Sequence, residues 1–180
     1  MIKCVYYGGP VTAASTTNVG QWQDDFHVVI AGSNGYVNNS IATPAGYGTV
    51  IPLGNAAINA PLDCNNADTY MGVKIFTSGP FSAQLCADAC SATSDYDRKH
   101  PIKGYSQTCQ FFNTYVLYNG TKSVGQYCAM YNETWPASYA TNVGQYRGNN
   151  HYTIGYSYAF SNSTGNADVP SGCANPSSPK

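Results

Sequence analysis

A chain of 180 residues with 9% charged side chains and a formal net charge of −1 is the size of one compact unit, long enough to bury a core without a metal. Its eight Lys and Arg are scattered, which excludes the electrostatic footprint expected of a nucleic-acid partner or an acidic membrane surface. No run has the length of a membrane span, so no membrane insertion is expected, and a surface this poor in charge must be covered by hydroxyls and amides.

Met1-Ile-Lys-Cys4 lacks the apolar core of a signal peptide, so the sequence reads as a mature segment behind an added methionine. The first sixty or so residues show no helical periodicity. Strand-like runs at Phe26-His-Val-Val-Ile-Ala31 and Gly48-Thr-Val-Ile-Pro-Leu53 alternate with Gly, Asn and Pro clusters, which predicts a β-rich N-terminal extension over 1–62. Asn34-Gly35 after the first run predicts a tight hairpin, because both residues accept positive φ.

From Pro80 to Ser94 the pattern turns helical, with Ser82 as N-cap and Leu85, Cys86, Ala89 and Cys90 toward one face. Cysteines four apart project from the same side, so both can reach a sheet beneath. The charged segment 95–103 reads as a solvated loop. Cys109-Gln-Phe-Phe-Asn-Thr-Tyr-Val-Leu-Tyr118 has the content of a central strand, turned back at Asn119-Gly120 toward Val124-Gly-Gln-Tyr-Cys-Ala-Met-Tyr131. His151-Tyr-Thr-Ile-Gly-Tyr-Ser-Tyr-Ala-Phe160 alternates, which predicts a strand with Tyr152, Ile154, Tyr156, Tyr158 and Phe160 on one face. The tail from Ser161 reads as loop or linker, tied down at Cys173, with 174–180 as a free end.

A short echo joins Thr17-Asn-Val-Gly-Gln-Trp22 to Thr141-Asn-Val-Gly-Gln-Tyr146, and Val124-Gly-Gln-Tyr127 shares its centre. It reads as recurring turn chemistry, since a true repeat should extend further.

Seven cysteines leave one without an internal partner, and Cys4 is the odd one. It pairs upstream, bridges to another chain, or is a remnant of how the segment is cut. Sequons at Asn38, Asn119, Asn132 and Asn162 join the cysteines in pointing to a secreted glycoprotein, extracellular or wall-associated.

Around Cys86-Ala-Asp-Ala-Cys90, Cys109-Gln-Phe-Phe-Asn and Gly-Gln-Tyr-Cys128 the chain resembles the PAN/apple superfamily, in which a two-cysteine helix packs on an antiparallel sheet and ligands are proteins or carbohydrates. From Pro61-Leu-Asp-Cys64 to His151-Tyr-Thr-Ile154 it is similar to uncharacterised secreted proteins of filamentous fungi that contain such a module. The resemblance implies a module over 63–173 with Cys86–Cys128 and Cys90–Cys109 paired, and Cys64 and Cys173 closing it. The long insert at 95–108 and the extension before Cys64 depart from the pattern. The fold expected is therefore α+β: an antiparallel sheet, one disulfide-pinned helix and a β-rich N-terminal extension.

Catalytic signatures are thin. Asp24-Asp25 is the only adjacent carboxylate pair, and neighbours in a strand point to opposite faces. His27, His100 and His151 are too dispersed for a metal motif, and no nucleophile elbow or phosphate loop is present. Neither metal nor cofactor is expected.

Sixteen tyrosines and two tryptophans carry the functional signal, because aromatic faces stack on sugar C–H groups while amides and carboxylates bond to hydroxyls. Most such rings in a β-rich domain are packing, so the binding set is restricted to rings in Gly- and Asn-rich segments: Trp22, Trp135, Tyr139, Tyr146 and Tyr152. Asp24, Asp25, Asn149 and Asn150 supply polar contacts. A non-catalytic protein that binds carbohydrate or cell-wall polysaccharide is the expectation, with an effector, adhesin or self-assembling surface protein as the alternative and an unrecognised hydrolase as a second rival.

Overall fold

The computed structural model describes residues 5, 13–30, 32–33, 41–102 and 104–163. Contacts divide the chain into two compact units, 1–40 and 41–180, where composition predicted one. The Asn34-Gly35 hairpin, Asn38, Cys4 and Cys173 lie outside the described residues.

In the first unit, β1 (Gly20–Gln23) and β2 (Phe26–Val29) form an antiparallel hairpin across the turn Asp24-Asp25. Asp24 takes φ +50°, a left-handed turn that a short polar side chain tolerates. The two carboxylates thus lie in a turn and not along a strand.

The second unit runs β3 (Ile51–Gly54), β4 (Ala57–Ile58), β5 (Tyr70–Phe76), α1 (Ala83–Lys99), β6 (Phe111–Asn119), β7 (Lys122–Tyr131), a 3-10 turn (Ala137–Tyr139), β8 (Ala140–Asn142), β9 (Gly144–Arg147) and β10 (Asn150–Ser161). Its antiparallel sheet has the order β3-β10-β6-β7-β5, with β9 on the start of β10, while β4 and β8 form a separate ribbon. Over the described residues the architecture is α+β, mostly antiparallel sheet with one helix. Because β3 and β4 are built into this unit, the stretch predicted as extension is divided: its end, from residue 41, belongs with the sheet.

Alternation along β6 gives the two buried faces. On the helix side, Ala83, Cys86, Ala87 and Cys90 pack on Phe112, Met130 and Phe160. Disulfides Cys86–Cys128 and Cys90–Cys109, each with Cα atoms 5.4 Å apart, clamp α1 to β7 and to the approach to β6. Cys64 is also disulfide-bonded. On the other side, Phe111, Tyr131, Trp135, Ile58 and Ala159 form a second core.

Buried amides fix the layers to each other. Asn113 Oδ1 accepts from the Ile58 N–H at 2.9 Å, and its Nδ2 donates to Ser157 Oγ and the Tyr158 carbonyl, both at 2.9 Å. Gln126 accepts from the Ser82 N–H at 3.0 Å and donates to the Ser82 carbonyl and Thr114 Oγ1. The helix start is therefore held by a strand glutamine; Ser82 occupies the N-cap position, but its side chain makes no capping bond.

Two further expectations change. The helix continues through Lys99 into the predicted loop, since no Gly or Pro interrupts it before Pro101, an Asp95–Arg98 ion pair spans one turn, and Arg98 and Lys99 suit its C-terminal end. In β10, Gly155 faces Val116 but Tyr158 faces Thr114, so three steps oppose two. Tyr156 sits in this bulge at φ +58° and reverses the alternation. Tyr152 and Ile154 accordingly join the cluster of Ala57, Leu117, Tyr115 and Tyr127, whereas Tyr158 and Phe160 pack with the helix. Among the described residues no helix is long and apolar enough to cross a membrane.

Candidate ligand-binding surface

In the second unit the predicted binding residues concentrate on the β9–β10 hairpin. Its entry is set by Gly144 at φ +120°, where a Cβ would collide with the Tyr152 carbonyl oxygen, so only glycine permits this strand approach. Asn142 Oδ1 accepts the Gly144 N–H at 3.0 Å, and Gly148 at φ +58° with Asn149 makes the turn.

Tyr146 lies directly opposite His151, and their rings stack at 4.2 Å and 9°. Tyr146 is nevertheless 72% exposed, so the ring surface not covered by the imidazole is open to solvent. Arg147 pairs with Asn150 and places its guanidinium 5.1 Å from the centre of the Tyr152 ring. The Gln145 carboxamide, turned so that its oxygen meets the guanidinium, accepts from Arg147 Nε and Nη2. Asn119 Nδ2 donates to Asn150 Oδ1 at 3.4 Å. Asn149 and Asn150 are exposed at the tip, while Tyr152 is half-buried against Leu117 and Ile154.

The first unit presents a comparable feature. Trp22 is 70% exposed and stacks on His27 at 4.5 Å and 19°, with Asp24 and Asp25 exposed in the adjoining turn.

Trp135 and Tyr139 do not belong to an exposed ring set. Trp135 is 2% exposed, its Nε1 donates to Thr69 Oγ1 at 3.0 Å, and Tyr139 meets it edge-on at 5.1 Å. A buried tryptophan whose N–H is satisfied has no face left for a ligand. The turn residues around Trp135 suggested a loop without revealing that the loop folds over the sheet.

Deeper tyrosines are structural. Tyr115 and Tyr127 stack at 5.6 Å, and burial, helped by Tyr70 and Tyr127 and opposed by Arg147, pushes the Tyr115 hydroxyl up to about 12. Burial likewise raises Tyr47 to about 12 and Tyr131 further. Among the described residues, no group of His, Cys, Asp and Glu is arranged to hold a metal ion. A small polar recess between α1 and the sheet is lined by Ser91, Ser94, Arg98, Thr108 and Asn162.

Of the sequons, Asn119 closes β6, Asn162 follows β10, and Asn132 follows β7 with its Oδ1 buried and lacking a hydrogen-bond partner among the described residues. His27 and His151 are the functional candidates that sequence reasoning passed over. Each follows its aromatic partner by five positions, across a tight turn, and that shared spacing was the available signal. In comparisons with known proteins, no family model, curated protein or solved structure matches the chain.

Proposed function

We propose that this chain is a secreted, non-catalytic binding protein that recognises carbohydrate, with cell-wall polysaccharide as its natural target. The observation that carries this reading is the Tyr146–His151 stack, which holds a 72%-exposed aromatic ring on a hairpin whose turn exposes Asn149. A ring fixed from behind presents its free face to sugar C–H groups at little entropic cost, and an amide exposed in the turn is available to hydroxyls. The disulfide clamp suits an oxidising exterior, and the helix pinned at two points agrees with the PAN/apple-like pattern.

The test is a glycan and polysaccharide array at physiological salt. Binding that is lost when Trp22→Ala and Tyr146→Ala are combined supports the reading; no binding, or binding indifferent to both changes, removes it.

A second reading, protein interaction or self-assembly, is favoured by β5. Among the described residues it is an edge strand, paired only with β7, and it exposes Tyr70, Val73 and Ile75. Concentration-dependent light scattering that disappears with Val73→Lys would support it.

A further inference from the structure

The likeness between Thr17-Asn-Val-Gly-Gln-Trp22 and Thr141-Asn-Val-Gly-Gln-Tyr146 extends over two entire hairpins, which corrects its reading as turn chemistry alone. In the first unit Gly20 pairs with Val29, Gln21 with Val28, Trp22 with His27 and Gln23 with Phe26. In the second, Gly144 pairs with Thr153, Gln145 with Tyr152, Tyr146 with His151 and Arg147 with Asn150. Gly20 and Gly144 take φ +134° and +120°, and a Cβ on either would strike the carbonyl oxygen of the residue after the histidine, Val28 or Tyr152.

The supporting bonds also correspond. Asn18 and Asn142 each accept the N–H of that glycine through Oδ1 at 3.0 Å. The first turn residue is left-handed in both, Asp24 at φ +50° and Gly148 at φ +58°. Val19 and Val143 accept the N–H of Ile30 and Ile154 at 3.1 and 3.3 Å. One backbone device occurs twice, and each time it presents an imidazole-backed aromatic ring to solvent.

Packing does not account for that outcome. Trp22 and Tyr146 are 70% and 72% exposed, so neither gains the burial that normally stabilises a large ring. Charge separates the copies and thereby narrows the ligand. Asp24 and Asp25 lie exposed in the turn beyond Trp22, whereas Arg147 projects from the face opposite Tyr146, over the Tyr152 ring and against Gln145. An acidic sugar would be repelled at the first hairpin alone, and a cationic amino sugar would be attracted there alone. A neutral sugar meets the same ring and imidazole at both.

We propose that the two hairpins are equivalent subsites for neutral pyranose chains, one on each compact unit, so that each protein molecule takes two glycan segments. This rests on the carbohydrate reading above. Isothermal titration with laminarihexaose, cellohexaose and mannohexaose tests it. For whichever hexasaccharide binds, the expected stoichiometry is two per wild-type chain, one for Trp22→Ala, one for Tyr146→Ala and none for the double variant. Trp22→Tyr, which gives the first hairpin the ring of the second, should keep both sites, and unchanged far-ultraviolet dichroism establishes that each variant is folded. One site per chain, abolished by one single variant and untouched by the other, overturns the equivalence and leaves a carbohydrate-binding protein with one site. If the wild type binds none of the three and also leaves the polysaccharide array blank, the carbohydrate reading and the paired subsites fall together.

Discussion

Val124-Gly-Gln-Tyr127 in β7 and Val143-Gly-Gln-Tyr146 at β9 are the same four residues put to opposite uses. In both, glycine sits at positive φ, +157° for Gly125 and +120° for Gly144, and a Cβ would meet a carbonyl oxygen of the neighbouring strand, that of Phe76 or Tyr152. From there they part. Gln126 is buried and holds Ser82 and Thr114, whereas Gln145 is exposed; Tyr127 is half-buried on Tyr115, whereas Tyr146 is open on His151. The short sequence therefore specifies a backbone approach, and the number of flanking strands decides what its side chains do. β7 lies between β6 and β5 with α1 above, while among the described residues β9 has β10 alone as its sheet neighbour.

The glycines test the shared half of this comparison. Gly125→Ala should cost about 3 kcal/mol through positive-φ strain and a backbone clash, lowering the urea midpoint of the whole second unit. Gly144→Ala should instead open the hairpin locally, seen as faster hydrogen exchange at β9 with a smaller change in midpoint. Equal effects on global unfolding would mean that the two hairpin environments are not energetically distinct.

The glutamines test the divergent half. Gln126→Ala strands the buried Thr114 hydroxyl and the half-buried N–H and carbonyl of Ser82, and about 2 kcal/mol should be lost. Gln145→Ala should stay within about 0.5 kcal/mol, as exposed substitutions do.

Alkaline titration probes the buried side of the sheet. Tyr115 and Tyr47 ionise at about 12 in the folded chain against 10.0 for the free group. Between those values the folded chain keeps protons that the unfolded chain has released. Stability is thus complete below pH 10 and declines as the pH rises toward 12. Tyrosinate absorbance should show a late phase that coincides with unfolding. The smallest expected effect is that of Tyr146→Ala on stability, within about 0.5 kcal/mol in the same urea experiment, because its ring is mostly in water.

Sequence patterning found the elements whose signals are local. The helix at Cys86 and Cys90 has its periodicity, and the β6–β7 hairpin has its aromatic runs and Gly120 turn. Two of the three disulfides implied by the resemblance, Cys86–Cys128 and Cys90–Cys109, are present, and the Cys173 of the third lies outside the described residues. The two-residue β4, which hangs on Asn113 and Tyr131 across the sheet, carries too few residues to show a period. Strand signals at β5 were readable too, with Met71, Val73 and Ile75 alternating between Asn65-Asn66 and Ser78-Gly79-Pro80, whereas Trp135 was misplaced because burial by a distant segment leaves no mark on nearby residues. At the candidate site Tyr146, Asn149 and Asn150 were legible as ring and amides near a turn. Their imidazole backing was not, since it depends on cross-strand register.

The bulge at Tyr156 has an evolutionary consequence. Because it turns β10 over in mid-strand, the half that carries the hairpin tip and the half that fills the helix-side core face different neighbours. Substitutions at Asn149 or Asn150 do not touch Phe160 and the disulfide layer, so the hairpin tip can vary while the scaffold stays constant.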